Sequence, residues 1–352
     1  MAPLQQNDLE QPHPPGRLRF GTAVRPEQLF GAAPLASAIR ECDLLVPEYH
    51  GQWSAVEWRR GDPWFGNYDA IVAFAALNNQ TVRGHSLIWE QMTPEWARQE
   101  MRQQRDWRTI ERHFGNLVGR YRGKIAEWVV VNEMIDTEHG RQDIRRNSFQ
   151  RAFGNGYVAQ ALHTAHAIDP SARLMINDYA LYHENPTDEA RRKALLKLVE
   201  KLKAEDVPLD IVGIQGHLEI VKGPVPQKRF ARFLRDLADT GVELALTELD
   251  VLEDDRSLPV DQRDARVADM VQGLLDVACS EPAMRSITTW GLSDRDSWLQ
   301  EKCEDTKVAM QEASVDNCKL NRGLPFDGGM AAKLMRKTIA LNMPQSRFAA
   351  NA

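Results

Sequence analysis

Apolar positions along this chain of 352 residues follow two alternating rhythms. Short runs rich in Val, Ile and Leu are separated by longer stretches in which apolar residues recur every three or four positions. The first rhythm is that of buried strands and the second that of amphipathic helices. Strands are predicted at Phe20–Val24, Leu44–Pro47, Thr81–Trp89, Ile125–Asn132, Leu174–Asp178, Ile211–Gln215, Glu243–Leu249 and Ser286–Trp290. Helices are predicted at Pro34–Glu41, Tyr68–Asn78, Thr109–Arg120, Ser148–Ile168, Glu189–Glu205, Gln227–Thr240, Asp261–Cys279 and Gly329–Leu341. Asp188 and Asp261 stand where helix caps are expected.

Eight strands alternating with eight helices form the pattern of an α/β fold. They suit a closed (β/α)8 TIM barrel better than an open doubly wound sheet, which would carry a Gly-rich phosphate loop after its first strand. None follows Val24. Neither a repeat of solenoid length nor a dividing linker interrupts the pattern. The expected organisation is a polar, Pro-rich lead over 1–19, one barrel domain over 20–343 and a fraying tail over 344–352. The longest non-periodic segment, Ser293–Phe326, follows the eighth strand. It would overhang the mouth of a barrel as a wall of the substrate cleft.

Composition narrows the partners. With 44 basic and 50 acidic residues the formal charge is −6, against a nucleic-acid or anionic-membrane surface. No apolar run reaches the length of a membrane span. Met1–Arg19 has no hydrophobic stretch of signal-peptide type. The chain is therefore either cytosolic or stripped of a leader with Met1 added, and secretion or periplasmic export with the leader removed is the expectation. Cys42, Cys279, Cys303 and Cys318 form no CxxC pair. Cys42 and Cys279 are expected to be free; Cys303 and Cys318 share one polar segment and could either pair or stay reduced.

Chemistry in such a barrel is built at the carboxyl ends of the strands. The fourth strand ends Val131-Asn132-Glu133 and the seventh ends Thr247-Glu248-Leu249-Asp250. Each places a carboxylate directly after an apolar run, where burial can tune its acidity. Two carboxylates flanking a bond are what acid-assisted glycoside cleavage requires. Other ends carry Arg83-Gly84-His85 with Trp89, Asn177-Asp178-Tyr179, Gln215-Gly216-His217, and Trp290-Gly291-Leu292-Ser293-Asp294 with Trp298. Amides and imidazoles hydrogen-bond sugar hydroxyls, and indoles stack on pyranose faces. One strand-end histidine alone would be read as a satisfied core residue; recurrence at six ends points to a site.

On these residues, together with Phe20-Gly21-Thr22-Ala23-Val24, the chain resembles glycoside hydrolase family 10, the endo-β-1,4-xylanases, from about Phe20 to about Leu341. The resemblance implies a retaining double displacement, with Glu133 as acid/base and Glu248 as nucleophile. In such enzymes the two carboxyls lie only about 5 Å apart. It further implies that Asn132 binds the sugar 2-hydroxyl, that His217 orients the nucleophile with Asp250 behind it, and that Gln215 lines the pocket. His85, Trp89, Trp290 and Trp298 would hold the sugar on the non-reducing side of the cleaved bond. No metal or organic cofactor is implied, and the partner would be a polysaccharide or oligosaccharide bound by a monomer.

The departures matter as much. Where the family reads Glu-Asn, two residues, then Lys-Trp, this chain has Glu48-Tyr49-His50-Gly51-Gln52-Trp53. Where it reads Trp-His, one residue, then Gln, this chain has Trp89-Glu90-Gln91-Met92. Three expected ligands of the second sugar site are thus Tyr49, Gln52 and Met92, and Glu90 would bring negative charge near the first sugar. Three readings follow: an endo-xylanase, a retaining β-glycosidase of different specificity with a rebuilt second site, and a non-catalytic carbohydrate-binding or inhibitor barrel. The presence of both carboxylates argues against the third.

Remaining patterns have plainer readings. His163 and His166 lack an acidic third ligand and belong to a helix face. Gly154-Asn155-Gly156 marks a helix junction. Arg191-Arg192-Lys193 reads as a solvated face. Trp58, Trp64 and Trp96 could serve either core packing or sugar stacking.

Overall fold

A computed structural model of the chain describes residues 17–31, 33–137, 143–302 and 320–350. Eight strands, β1 Arg19–Val24, β2 Leu44–Pro47, β3 Thr81–Gly84, β4 Glu127–Asn132, β5 Arg173–Asp178, β6 Ile211–Ile214, β7 Glu243–Leu252 and β8 Met284–Thr289, pair in that order. Every one of these pairings is parallel, and β8 also pairs with β1, which closes the sheet. The return helices are α1 Ala33–Arg40, α2 Gly66–Leu77, α3 Arg108–Leu117, α4 Tyr157–Ile168, α5 Pro186–Ala204, α6 Gln227–Ala238, α7 Val260–Ala278 and α8 Leu334–Asn342. This is the predicted (β/α)8 barrel.

The apolar rhythm explains how the layers meet. In α6, Phe230, Phe233, Leu234 and Leu237 are buried, a stripe at three- and four-residue spacing that covers the sheet. The principal apolar core lies between sheet and helices, whereas Val129, Met175, Ile211 and Ala245, one from each of β4 to β7, form a separate cluster. Beneath them the barrel floor is ionic. Arg83 of β3 hydrogen-bonds Glu127 of β4 and reaches Ser286 and Thr288 of β8. Three strand steps separate β3 from β8, so Arg83 crosses the lumen.

Several local expectations change. β3 stops at Gly84; beyond it the chain follows β4 through Leu87 N to Val129 O (3.0 Å) and Ile88 N to Val130 O (2.9 Å). The helix expected over 148–168 is two, Ser148–Phe153 and α4, divided at the glycine junction. The last helix starts at Leu334 instead of Gly329, because Asp327 accepts the amides of Gly329 and Ala331 and holds a turn there. Asn185 caps α5, not Asp188, and α7 begins after Pro259 with no side-chain cap, so Asp261 is no cap either. Helices at Trp53–Val56 and Glu95–Gln104 were not predicted.

The terminal segment does not fray. Arg347–Ala350 is helical, Phe348 is fully buried and stacks on Phe20 at 4.0 Å, and Arg336 donates to the Phe348 carbonyl at 2.7 Å. An aromatic ring that covers the start of β1 outweighs the end-of-chain entropy that sequence position alone suggests. Cys42, which is buried, and Cys279 are free, whereas Cys303 and Cys318 lie outside the described residues.

Candidate active site

Both carboxylates lie at or just beyond irregularities of the sheet. Pairing of β4 with β5 shifts between Val129 and Val131, and pairing of β7 with β8 shifts between Leu246 and Leu249. Such bulges re-aim side chains at barrel rims. Glu133 follows with φ 56°, a left-handed conformation that costs a non-glycine residue about 1–3 kcal/mol. Its N–H is held by the Asn177 carbonyl (2.8 Å), and the Glu248 N–H by that of Gln215 (2.7 Å).

Asn177 is the hub between the two acids. Its Nδ2 donates to Glu248 Oε1 (2.7 Å) and to Asn132 Oδ1 (2.8 Å), while its Oδ1 accepts from Thr247 (2.7 Å). Gly213 makes room, since a Cβ there would lie 2.3 Å from Asn177 Oδ1. Gln215 donates to Glu133 Oε1 (3.3 Å) and Asn132 Oδ1 (3.4 Å), and Asn132 Nδ2 stands 3.5 Å from Glu133 Oε1.

His217 reaches Glu248 because Gly216, at φ 85°, turns the chain into a short strand His217–Glu219 paired with β7, where His217 lies opposite Asp250. Its Nδ1 donates to Asp250 Oδ1 (2.7 Å) and its Nε2 to Glu248 Oε2 (3.2 Å). The second Asp250 oxygen accepts from Trp298 Nε1 (2.6 Å). Trp298 and Trp290 pack over Ala23 and Val46, and both rings meet His217 edge-on; buried His85 meets Trp290 in the same way.

These contacts drive the two acidities apart. Burial, with the charges of Asp178 and Glu248, raises the Glu133 carboxyl above its ordinary value despite a hydrogen bond from the Trp89 side chain. Burial alone would raise Glu248 too. The His217 hydrogen bond, the His85 and His217 charges and the Asn177 amide outweigh it and hold Glu248 low. His217 itself rises to about 10 against the opposing pull of burial, through Asp250 and Glu248, and is therefore a cation at neutral pH. A carboxyl raised in this way suits a proton donor to a leaving oxygen, and a carboxylate held low suits attack on the carbon that carries it.

The sequence model described as glycosyl hydrolase family 10 matches residues 11–340. The chain belongs to this family. Endo-1,4-beta-xylanase 3 of Hypocrea jecorina is 35% identical over 286 residues, 80% of this chain and 76% of that protein. The beta-1,4-xylanase of Dictyoglomus thermophilum is 32% identical over 263 residues, 72% of each. The intracellular xylanase of Thermoanaerobacterium saccharolyticum superposes with a TM-score of 0.76 at 26% identity, covering 92% of this chain and 95% of that one. Xylanase 10B of Thermotoga petrophila reaches a TM-score of 0.80 at 23% identity, over 94% and 95%, a likeness of fold alone.

In this family member, ten of the expected site residues thus gather around the strand ends of one face, while Glu48, Tyr49 and Gln52 form a second group after β2. The Glu48 carboxylate lies 3.4 Å from Arg25 Nε, and Arg25 also donates to the Asp296 carbonyl on the loop after β8 (2.9 Å). Gln52 is buried and donates to the Glu48 carbonyl (3.3 Å), whereas Tyr49 is 47% exposed. Met92 Sδ accepts from Ser54 at 3.9 Å. Glu90 accepts from Ser148 Oγ (2.7 Å) and Ser148 N (3.1 Å), with Arg98 at 3.9 Å. The start of a helix and a guanidinium meet its charge.

Three arginines were misread or missed. Arg191 and Arg192 are buried, not a solvated face: Arg191 pairs with Asp178 (3.1 Å), and Arg192 donates to the carbonyls of Leu181 and His183. Only Lys193 of that run is exposed. Arg145, which no motif signals, donates to the Glu133 carbonyl (3.0 Å). Trp58 and Trp64 are exposed on the loop after β2, whereas Trp96 packs edge-on against Trp53 and donates to the Glu57 carbonyl. His163 and His166 are exposed on α4.

Proposed function

We propose that this enzyme hydrolyses xylan or a related β-1,4-linked glycan internally, by double displacement. The opposed environments of Glu133 and Glu248 carry the reading. Glu248, ionised against His217 and Asn177, attacks the anomeric carbon while Glu133 protonates the departing oxygen. Glu133 then takes a proton from the water that releases the sugar, so the anomeric configuration is kept. Asn132 meets the 2-hydroxyl, and His85, Trp89, Trp290 and Trp298 seat the sugar on the non-reducing side. The relatives named as xylanases support xylan as substrate. A polymeric substrate does not cross a cell membrane, which supports export of its hydrolase, although the relative from Thermoanaerobacterium saccharolyticum is intracellular. Among the described residues no helix is long and apolar enough to span one.

A second reading, a retaining β-glycosidase with a rebuilt second sugar site, draws on Gln52 turned inward to the Glu48 carbonyl and on the Glu48 carboxylate paired with Arg25. A product series from β-xylan, mixed-linkage glucan, glucomannan and aryl glycosides separates the two. Endo products from xylan with tight xylobiose binding favour the first; weak xylobiose binding with turnover of another glycan favours the second. In either case Glu248→Ala should abolish hydrolysis, and azide should restore turnover of activated glycosides with inverted product. Normal activity in Glu248→Ala would remove the mechanism altogether.

A further inference from the structure

Glu133 hangs from a backbone that a free peptide would not keep. In the left-handed region a side-chain Cβ crowds the following carbonyl oxygen, so surrounding bonds must maintain the conformation. On one side the Asn177 carbonyl takes the Glu133 N–H. On the other side stands Arg145. Its N–H donates to the Met134 carbonyl (2.7 Å), its Nε to the Glu133 carbonyl (3.0 Å) and its Nη2 to the Ile135 carbonyl (3.1 Å). Three consecutive carbonyls, beginning with that of the acid, are held by one residue twelve positions along the chain.

The guanidinium is itself held from behind. Nη2 also donates to the Tyr179 hydroxyl (2.8 Å), and the cation lies 5.8 Å from the centre of the Tyr179 ring. Tyr179 follows Asp178, whose Oδ2 accepts the Ile135 N–H (2.9 Å) and whose Oδ1 pairs with buried Arg191. Arg191 donates to the Ile135 carbonyl as well (2.7 Å). The turn after β4 is thus gripped between Arg145 at the rim and the Asp178–Arg191 pair beneath.

We infer that Arg145 is a positioning residue for proton transfer: it fixes the Glu133 backbone so that the carboxyl meets the glycosidic oxygen. The inference rests on Glu133 being the acid/base. Arg145 acts through the main chain and not through substrate. Its planar fork offers donors on two separate nitrogens, Nε to one carbonyl and Nη2 to another carbonyl and a hydroxyl, a spacing that a point-like ammonium does not reproduce.

The test exploits the leaving group. A dinitrophenolate departs without protonation, whereas a sugar alkoxide needs the acid. We would measure kcat/KM, which reports the glycosylation step, for 2,4-dinitrophenyl β-xylobioside and for xylohexaose. Wild type, Glu133→Ala, Arg145→Met and Arg145→Lys are compared. Arg145→Met should lose about 100-fold on xylohexaose, the scale of a misplaced reacting group, and stay near wild type on the dinitrophenyl glycoside. Arg145→Lys should follow it. Equal losses on both substrates, no loss on either, or wild-type rates in Arg145→Lys would overturn the inference. If Glu133→Ala itself lacked the leaving-group bias, the acid/base reading would fall instead. Should Arg145→Met not fold, Tyr179→Phe, which removes one bond of the fork, should give a smaller loss with the same bias. Equal loss on both substrates there would also overturn it.

Discussion

At the scale of single residues, Glu133 and Glu248 share one mouth, yet their acidities are pulled in opposite directions because each has different neighbours. Glu248 is contacted by donors, among them a cationic imidazole, and Glu133 is buried beside other carboxylates. Asp250 never touches Glu248 in this arrangement; it acts through His217. Asp250→Asn should therefore let the His217 pKa fall from about 10, withdraw a charged donor from Glu248 and raise the Glu248 pKa. With Glu248 as the proposed nucleophile, turnover needs it ionised, so the acid limb of the kcat/KM–pH profile should move to higher pH. An unmoved acid limb would show that His217 does not carry this coupling. Strand-end identity in the sequence pointed to both acids and to His217, because an apolar run followed by a polar cluster is a local signal. The hub role of Asn177 was not legible, since its partners lie 45 and 71 positions away.

At the scale of elements, hydrophobic period placed the eight strands and eight helices but not their ends. Asp327 delays α8, the glycine pair divides the helix before β5, and β4 and β7 carry register shifts against their partner strands. The C-terminal helix was invisible because one buried ring in a four-residue helix leaves no period. Phe348→Ala should cost about 3–5 kcal/mol, as other deletions of a buried aromatic ring do. Urea denaturation measures it, and a change under about 0.5 kcal/mol, the range of surface substitutions, would mean that the helix is dispensable to the barrel.

At the scale of the whole molecule, closure brings ionisable groups together whose titration sets stability. Burial would raise Glu127, but the charges of Arg83 and Arg19 and the Arg83 hydrogen bonds outweigh it and hold its carboxyl at about 2. Its contribution is complete above its ordinary 4.5 and is lost as pH falls towards 2, about 3 kcal/mol at roughly 1.4 kcal/mol per unit. Burial holds His113 down to about 3, so stability also declines as the unfolded imidazole protonates below the ordinary 6.5. His217 works oppositely: raised to about 10, it contributes fully below 6.5 and loses that contribution as pH rises to 10. Asp294, pushed by burial to about 7, adds stability as pH falls from 7 towards its ordinary 3.8 and so offsets the His113 loss. Clear declines in melting temperature are therefore expected above pH 6.5, from His217, and below 4.5, from Glu127. Glu127→Gln should melt lower at neutral pH and decline less steeply in acid. An acid decline in Glu127→Gln as steep as in wild type would contradict the assignment of Glu127.

The sequence by itself determined the alternation of strands and helices, the barrel class, the family, and the two carboxylates with most of their neighbours. Those properties are written locally, in period and in the few residues at each strand end. Only the tertiary structure decided which charges are met and which backbones are held. Arg191 and Arg192 read as a solvated face until Asp178 and the carbonyls of Leu181 and His183 received them. Glu90 read only as added negative charge, and the fold gives it a helix start and Arg98 as partners. Arg145 carried no signal, because its partners are main-chain carbonyls, whose positions depend on the fold and not on any side chain. A hydrogen bond to backbone leaves no residue identity in the sequence to be read.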